Sequence, residues 1–216
     1  MPSKNIVKIY VKDGVYHIYN RTLKGLNLFI DEQDYKIFLY YLKSYLSPLK
    51  DQLKPPSSIK SDRKYSLYEK IKLLCYCLMP NHFHLMIQQL TERAMVEFMK
   101  RLIDAYIKYF NEKYDRRGSI FEGCYKAVLI DNEQHFLYLP YYIHHNPEDL
   151  YKDDPEKIEK VKNYPYSSYG DYLGKRNTKW IYKDDLMEQF IEVEKEDIGI
   201  EEARHILGDI SLDFDF

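Results

Sequence analysis

Ile71–Met79 (IKLLCYCLM) is an almost unbroken run of apolar and aromatic residues, and after the turn Met79-Pro80-Asn81 the chain resumes as His82–Gln88 (HFHLMIQ). A strand-length segment with so little polar alternation has to be covered on both faces, so these two segments form a buried hairpin inside a sheet. The rest of the chain has to supply its neighbours. Val15-Tyr16-His17-Ile18-Tyr19 alternates as a strand, and Asp13-Gly14 before it reads as a hairpin turn after Ile6–Val11. Asp31 opens a helix in which Ile37, Phe38, Tyr41, Leu42 and Tyr45 recur at helical spacing. Thr91–Tyr114 reads as a long helix with the stripe Met95, Phe98, Leu102, Tyr106 and Tyr109, closed by Arg116-Arg117-Gly118. Lys126–Ile130 is a further strand. Asp131, with Gln134 at capping-box distance, opens a last helix that Pro147 stops after Asn146.

The order β-α-β-β-α-β plus one helix predicts an α+β, ferredoxin-like split βαβ fold with an antiparallel sheet. Its first and third strands lie centrally, and the third carries His82 and His84. The expected organisation is a body over residues 1–174, interrupted by the Pro-, Lys- and Ser-bearing loop Ser47–Ser66, and a helical extension over 175–216.

Composition narrows the setting. No stretch approaches the roughly 20 apolar residues of a membrane span, and the opening MPSKNIVKIYVKDG lacks the apolar core of a secretory signal. Cys75, Cys77 and Cys124 are odd in number and lack zinc-site spacing, so they read as reduced thiols of a cytoplasmic protein. A membrane protein, a disulfide scaffold and a coiled coil are excluded. The net charge of −2 hides an asymmetry: residues 184–216 hold 12 of the 34 acidic and 2 of the 32 basic residues, a local −10, leaving +8 on residues 1–183. A basic body is compatible with a nucleic-acid partner. The 23 tyrosines offer flat rings for base stacking, although an A/T-rich genome enriches Tyr, Lys and Ile equally well.

His82-Phe83-His84 places two imidazoles on one face of a strand with Phe83 on the other. Such a pair is half of a divalent-metal site. Tyr142-Ile143-His144-His145-Asn146-Pro147 supplies the rest: Tyr142 and Asn146 share a helical face, and an Asn amide oxygen is a neutral ligand for a hard cation. His82, His84 and Asn146 would leave the ion's charge for a phosphodiester, and Tyr142 one turn away is placed to attack phosphorus.

Cys77-Leu-Met-Pro-Asn-His-Phe-His-Leu-Met-Ile87 resembles the signature of the single-tyrosine transposases of the HUH endonuclease superfamily, and more particularly the chain is similar to their REP-associated branch and its insertion-sequence relatives. The resemblance runs from about Val15 to Phe190. It takes in Tyr16–Arg21, Phe29 with Asp34-Tyr35, Phe110-Asn111, Gly118–Phe121, Lys126-Ala127-Val128, the YIHHNP motif and Tyr164–Tyr169 (YPYSSY). It implies Mg²⁺- or Mn²⁺-dependent cleavage and joining of single-stranded DNA beside a hairpin. His82, His84 and Asn146 would be the ligands, and Tyr142 the nucleophile that forms a 5′-phosphotyrosine and releases a 3′-hydroxyl. Arg21, Lys126, Arg116 and Arg117 are candidate DNA contacts, and the assembly is a monomer or homodimer.

Three features depart from the family pattern. Cys124 replaces an expected Arg; Pro140, which should kink the last helix or mark its true start, lies two residues before Tyr142; and Glu148-Asp149 follows the NP turn, where acidic side chains would repel phosphates. Tyr138 is expected to pack, Tyr141 to point away from Asn146, His17 to fill the core, and His144 and His145 to be surface or outer-sphere groups. Trp180-Ile181-Tyr182 precedes helices expected over Asp184–Glu194 and from Asp197 or Ile198 to Gly208. This acidic segment reads either as a solubilising appendage or as a mask over the basic groove. Two other activities fit the same residues: a hairpin-binding module for DNA or structured RNA that does not cut, and a metal phosphoesterase that uses water.

Overall fold

The computed structural model describes residues 9–52, 54–57, 59 and 65–208. Its strands are β1 (Val15–Arg21), β2 (Ile71–Met79), β3 (His82–Gln89) and β4 (Lys126–Leu129). They form one antiparallel sheet in the order β2-β3-β1-β4, so β1 and β3 are central as the ferredoxin-like plan requires. Of the expected strand Ile6–Val11, residues 6–8 lie outside the described residues and 9–11 are not in a strand. The turn into β1 is nevertheless closed, with the Gly14 N–H donating to the Val11 carbonyl at 3.1 Å.

Pleating sorts the side chains onto two faces. Ile18, Phe83, Leu85 and Ile87 face α1 (Glu32–Leu46) and α2 (Ala94–Lys113) in the larger core. Asp31 caps α1 through a reciprocal capping box with Asp34. Asp34 is fully buried and accepts from Lys113 Nζ (2.8 Å), Tyr109 Oη (2.9 Å) and Tyr114 Oη (2.8 Å), which locks the start of α1 to the end of α2. Helix α2 starts three residues later than its periodicity predicts, because Arg93 takes a left-handed conformation (φ 60°) just before it. Gln52 closes the base of the 47–66 loop by donating to the carbonyls of Ser44 and Tyr65, and residues 53, 58 and 60–64 of that loop lie outside the described residues.

The opposite face carries Cys75, Cys77, Met79 and Met86 against α3 (Glu133–His145), α5 (Tyr169–Tyr172), α6 (Met187–Glu196) and α7 (Gly199–Leu207). The short α4 (Lys157–Lys162) adds buried Val161. Three expectations are corrected on this side. The N-cap of α3 is Asn132, whose side chain accepts from the His135 N–H at 2.7 Å, and not Asp131. Pro140 does not mark the start of α3, which runs through it, and Leu139, Pro140 and Tyr141 are all buried. The acidic segment is no loose appendage, because Leu186, Phe190, Val193, Ile200, Ala203 and Leu207 are all buried in the core that contains α3.

The YPYSSY segment guards a sheet edge. Leu78 N–H donates to the Tyr166 carbonyl and Ser168 N–H to the Tyr76 carbonyl, each at 2.9 Å, so residues 166–168 satisfy the outer side of β2. Tyr164 and Tyr172 add hydroxyl hydrogen bonds to the Leu78 and Leu74 carbonyls.

Candidate active site

Register fixes the centre of the site. Arg21 on β1 pairs with His82 on β3, and Tyr19 pairs with His84 on one side and Lys126 of β4 on the other. Directly paired residues share a face, so His82, His84, Tyr19, Arg21, Lys126 and His17 all belong to the face that α3 covers. Tyr142 on α3 sets its ring edge-on to His84 (centroids 5.4 Å apart) and to His17 (6.1 Å). Asn146 follows one turn later, and its Oδ1 lies 3.2 Å from His82 Nε2. Sheet and helix thus bring together the four residues singled out from the sequence, although 64 positions separate His82 from Asn146.

The hydrogen bonds around these groups turn their electron pairs inward. Asn146 Nδ2 donates to the Tyr142 carbonyl at 3.1 Å, so the amide oxygen faces His82. His82 Nδ1 lies 2.7 Å from Asn81 Oδ1, also an acceptor. Burial pushes the His82 imidazole down to about 4, so at neutral pH it has one N–H for two oxygen acceptors. Burial, aided by the neighbouring histidines, also holds His84 well below its ordinary value. Its Nδ1 is 2.9 Å from His17 Nε2, while its Nε2 is buried without a hydrogen-bond partner. An unpartnered imidazole nitrogen and a mismatched nitrogen–oxygen pair are the donor set a divalent cation satisfies. Among the described residues, no three His, Cys, Asp or Glu side chains group closely enough to hold a metal ion.

Other sequence expectations are sorted by their surroundings. His17 is buried, as expected, yet it also holds His84, the outer-sphere role typical of metal sites. His144 and His145 are not surface groups. His144 is fully buried with Nε2 at 2.8 Å from Ser168 Oγ. His145 stacks on Tyr141 (4.0 Å) between Glu148 (2.7 Å) and Glu194 (3.2 Å), and these carboxylates hold its imidazole above the ordinary value against the opposing effect of burial. Glu148-Asp149 is therefore not a bare acidic surface: Glu148 pairs with His145 and Lys157, and Asp149 with Arg204 at 2.6 Å. Tyr141 turns towards the C-terminal helices, its hydroxyl accepting from the Gly199 N–H, and Tyr138 bonds Glu196 rather than only packing.

Among the basic candidates, Lys126 lies over the Tyr19 ring (5.8 Å) beside His84, and Arg21 is ion-paired with Glu122. Arg116 and Arg117 sit on the loop after α2, which reaches the His82 end of the sheet through the Leu23 N–H to Ile120 carbonyl bond. Cys124 is exposed on the loop before β4. Sequence reading passes over Arg204, which α7 brings beside Asp149. The only signal was its position as one of two basic residues in an acidic segment.

Comparison with known proteins bears on the fold and on the segment that carries both motifs. Residues 58–146, from the loop before β2 to the third candidate ligand, match the family model described as transposase IS200 like. Over that stretch the chain is similar to the IS200-like transposases. A solved structure of a REP-associated tyrosine transposase bound to a REP hairpin superposes with a TM-score of 0.51 at 14% identity, over 85% of this chain and 93% of that one. The two share the fold. No curated protein matches the chain. Among the described residues, no helix is long and apolar enough to cross a membrane.

Proposed function

We propose that this IS200-like transposase chain cleaves and rejoins single-stranded DNA beside a hairpin, with Tyr142 as nucleophile and His82, His84 and Asn146 as ligands of Mg²⁺ or Mn²⁺. The observation that carries the reading is the inward convergence of His84 Nε2, His82 Nε2 and Asn146 Oδ1 next to the Tyr142 ring. A divalent ion bound there supplies Lewis-acid polarisation of a phosphoryl oxygen. The protein does the positioning. Tyr142 sits on a helix packed against a central strand, which fixes its place beside His84. The Tyr142 oxygen bonds to phosphorus as the bond to the 3′ oxygen breaks. The phenol gives up its proton to solvent, and the 3′ oxygen takes one up as it leaves as a hydroxyl. The phosphotyrosine conserves the bond energy, so the released 3′-hydroxyl can reverse the step on the same or another strand. Lys126 and Tyr19 beside His84, with Arg21, Arg116 and Arg117 at the His82 end, supply phosphate and stacking contacts along this route. Buried, protonated Cys75 and Cys77 fit a reducing cytoplasm, where such a reaction would meet DNA.

A second reading, a hairpin binder that does not cut, draws on one observation: Tyr142 is 0% exposed, so its hydroxyl reaches phosphorus only after local opening. One experiment separates the two. Hairpin DNAs with single-stranded flanks are incubated with Mg²⁺ or Mn²⁺ and either wild type or Tyr142→Phe. A denaturant-resistant protein–DNA adduct formed by wild type alone supports the nucleophile. Tight binding with no adduct in either protein favours the binder. Cutting that survives Tyr142→Phe without an adduct points to water as nucleophile.

A further inference from the structure

The C-terminal segment is acidic, yet one of its two basic residues is turned inward. Lys195 is exposed and paired with Glu192 on the outside of α6. Arg204 on α7 has a side chain only 18% exposed, and its Nη2 lies 2.6 Å from Asp149 in the turn that follows Asn146. A second bond, from Nη1 to Glu201, leaves Nε buried and without an acceptor. Asp149 lies three residues beyond Asn146, and Ala203 and Leu207, which flank Arg204 on α7, share one buried core with Tyr142. Buried polar groups in native proteins are nearly always partnered, and an Arg N–H without an acceptor marks a position where an oxyanion completes the set.

We propose that Arg204 is an anion-binding residue of the active site, delivered by the C-terminal extension, whose guanidinium receives a non-bridging oxygen of the scissile phosphate while Asp149 holds it in place. The inference rests on the reading of Tyr142 as nucleophile. When the Tyr142 oxygen bonds to phosphorus and the 3′ oxygen leaves, negative charge builds on the non-bridging oxygens. A planar guanidinium that stays protonated meets that charge without taking part in proton transfer. Arg204 neither gains nor loses a proton, and the bonds made and broken are those of the tyrosine step alone. The extension that reads from its composition as a solubilising appendage or a mask thus carries one cation to the place where phosphate charge is greatest.

The test compares wild type, Arg204→Ala and Arg204→Lys in the full chain with Mn²⁺ and a hairpin DNA bearing a single-stranded flank. Adduct formation is followed in single turnover at saturating DNA, alongside hairpin affinity and thermal stability. The expected result for Arg204→Ala is a rate lowered about 100-fold with hairpin affinity unchanged. Sub-denaturing guanidinium should restore it where equal sodium chloride does not, and Arg204→Lys should fall between. A wild-type rate in Arg204→Ala overturns the inference and leaves Tyr142 untouched. A slow Arg204→Ala that guanidinium does not rescue, while Arg204→Lys is equally slow and both melt early, shows a merely structural role and overturns it too. If wild type itself forms no adduct, the nucleophile reading fails and takes this inference with it.

Discussion

His82 Nε2 and Asn146 Oδ1 face each other at 3.2 Å, one from the central strand β3 and the other from the end of α3. With His82 donating through Nδ1 to Asn81, both are acceptors, an arrangement that a cation between or beside them would satisfy. His82→Ala and Asn146→Ala are each expected to lower Mn²⁺ affinity and adduct yield by about 100-fold or more. Chelation of wild type should reproduce the loss of adduct and leave hairpin binding in place. Metal titration followed by gel analysis of the adduct checks both, and wild-type affinity in either variant would remove that residue from the ligand set.

His17 fixes the ring of His84 through the 2.9 Å contact between Nε2 and Nδ1. His17→Ala should therefore weaken metal binding by about 10–100-fold while every proposed ligand remains present. His17→Gln keeps a polar group near the same position and should recover part of that loss. Isothermal titration with Mn²⁺ distinguishes this from simple core filling, for which His17→Gln would bring no recovery.

Asp34 and Lys113 tie the two helices of the opposite face together. Asp34 is fully buried, so Lys113→Met leaves a carboxylate with hydroxyl and backbone donors but no counter-charge, at an expected cost of roughly 3 kcal/mol in urea unfolding at neutral pH. The same lysine, through its hydrogen bond, is the main cause that holds Asp31 below its ordinary value of 3.8. A depressed carboxylate stabilises the fold above its unfolded pKa, and that contribution is lost as pH falls through the folded value. Lys113→Met should thus lose less stability than wild type when the pH is lowered below about 4. Parallel acid limbs in the two proteins would contradict the linkage.

The C-terminal helices hold α3 in place by apolar contact. Leu207 is fully buried in the same core as Tyr142. Leu207→Ala is expected to cost about 2–5 kcal/mol, and truncation after residue 183 to melt the chain well below wild type. A truncated protein as stable as wild type, cutting hairpin DNA faster, would revive the segment as a removable mask.

The strands were legible because their signals are local. The apolar run Ile71–Met79, the Pro-Asn turn and the H-x-H alternation each report on a few neighbouring residues, and β2 and β3 begin where those patterns predict. Helix α1 follows its Asp31 cap for the same reason. The ends of α2 and α3 drifted by one to three residues, since Arg93 and Asn132 fix them through backbone conformation and a side-chain bond. Pro140 was misleading because helix propensity is worth only about 3 kcal/mol there, less than the packing around it.

The site divides along the same line. Its residue types and spacing, His82 with His84 and Tyr142 with Asn146, lie in two short motifs, and periodicity alone puts each pair on one face. Only the tertiary structure joined the motifs, oriented the Asn146 amide, set His17 behind His84 and carried Arg204 in from a distant acidic helix. Sequence reading assigned Glu148 and Asp149 to a surface that repels phosphates. Folding paired them with His145, Lys157 and Arg204, because burial leaves a carboxylate only the choice of a partner or a large desolvation penalty. Short-range patterning settled which elements form, whereas long-range pairing of charge and hydrogen bonds decided what those elements surround.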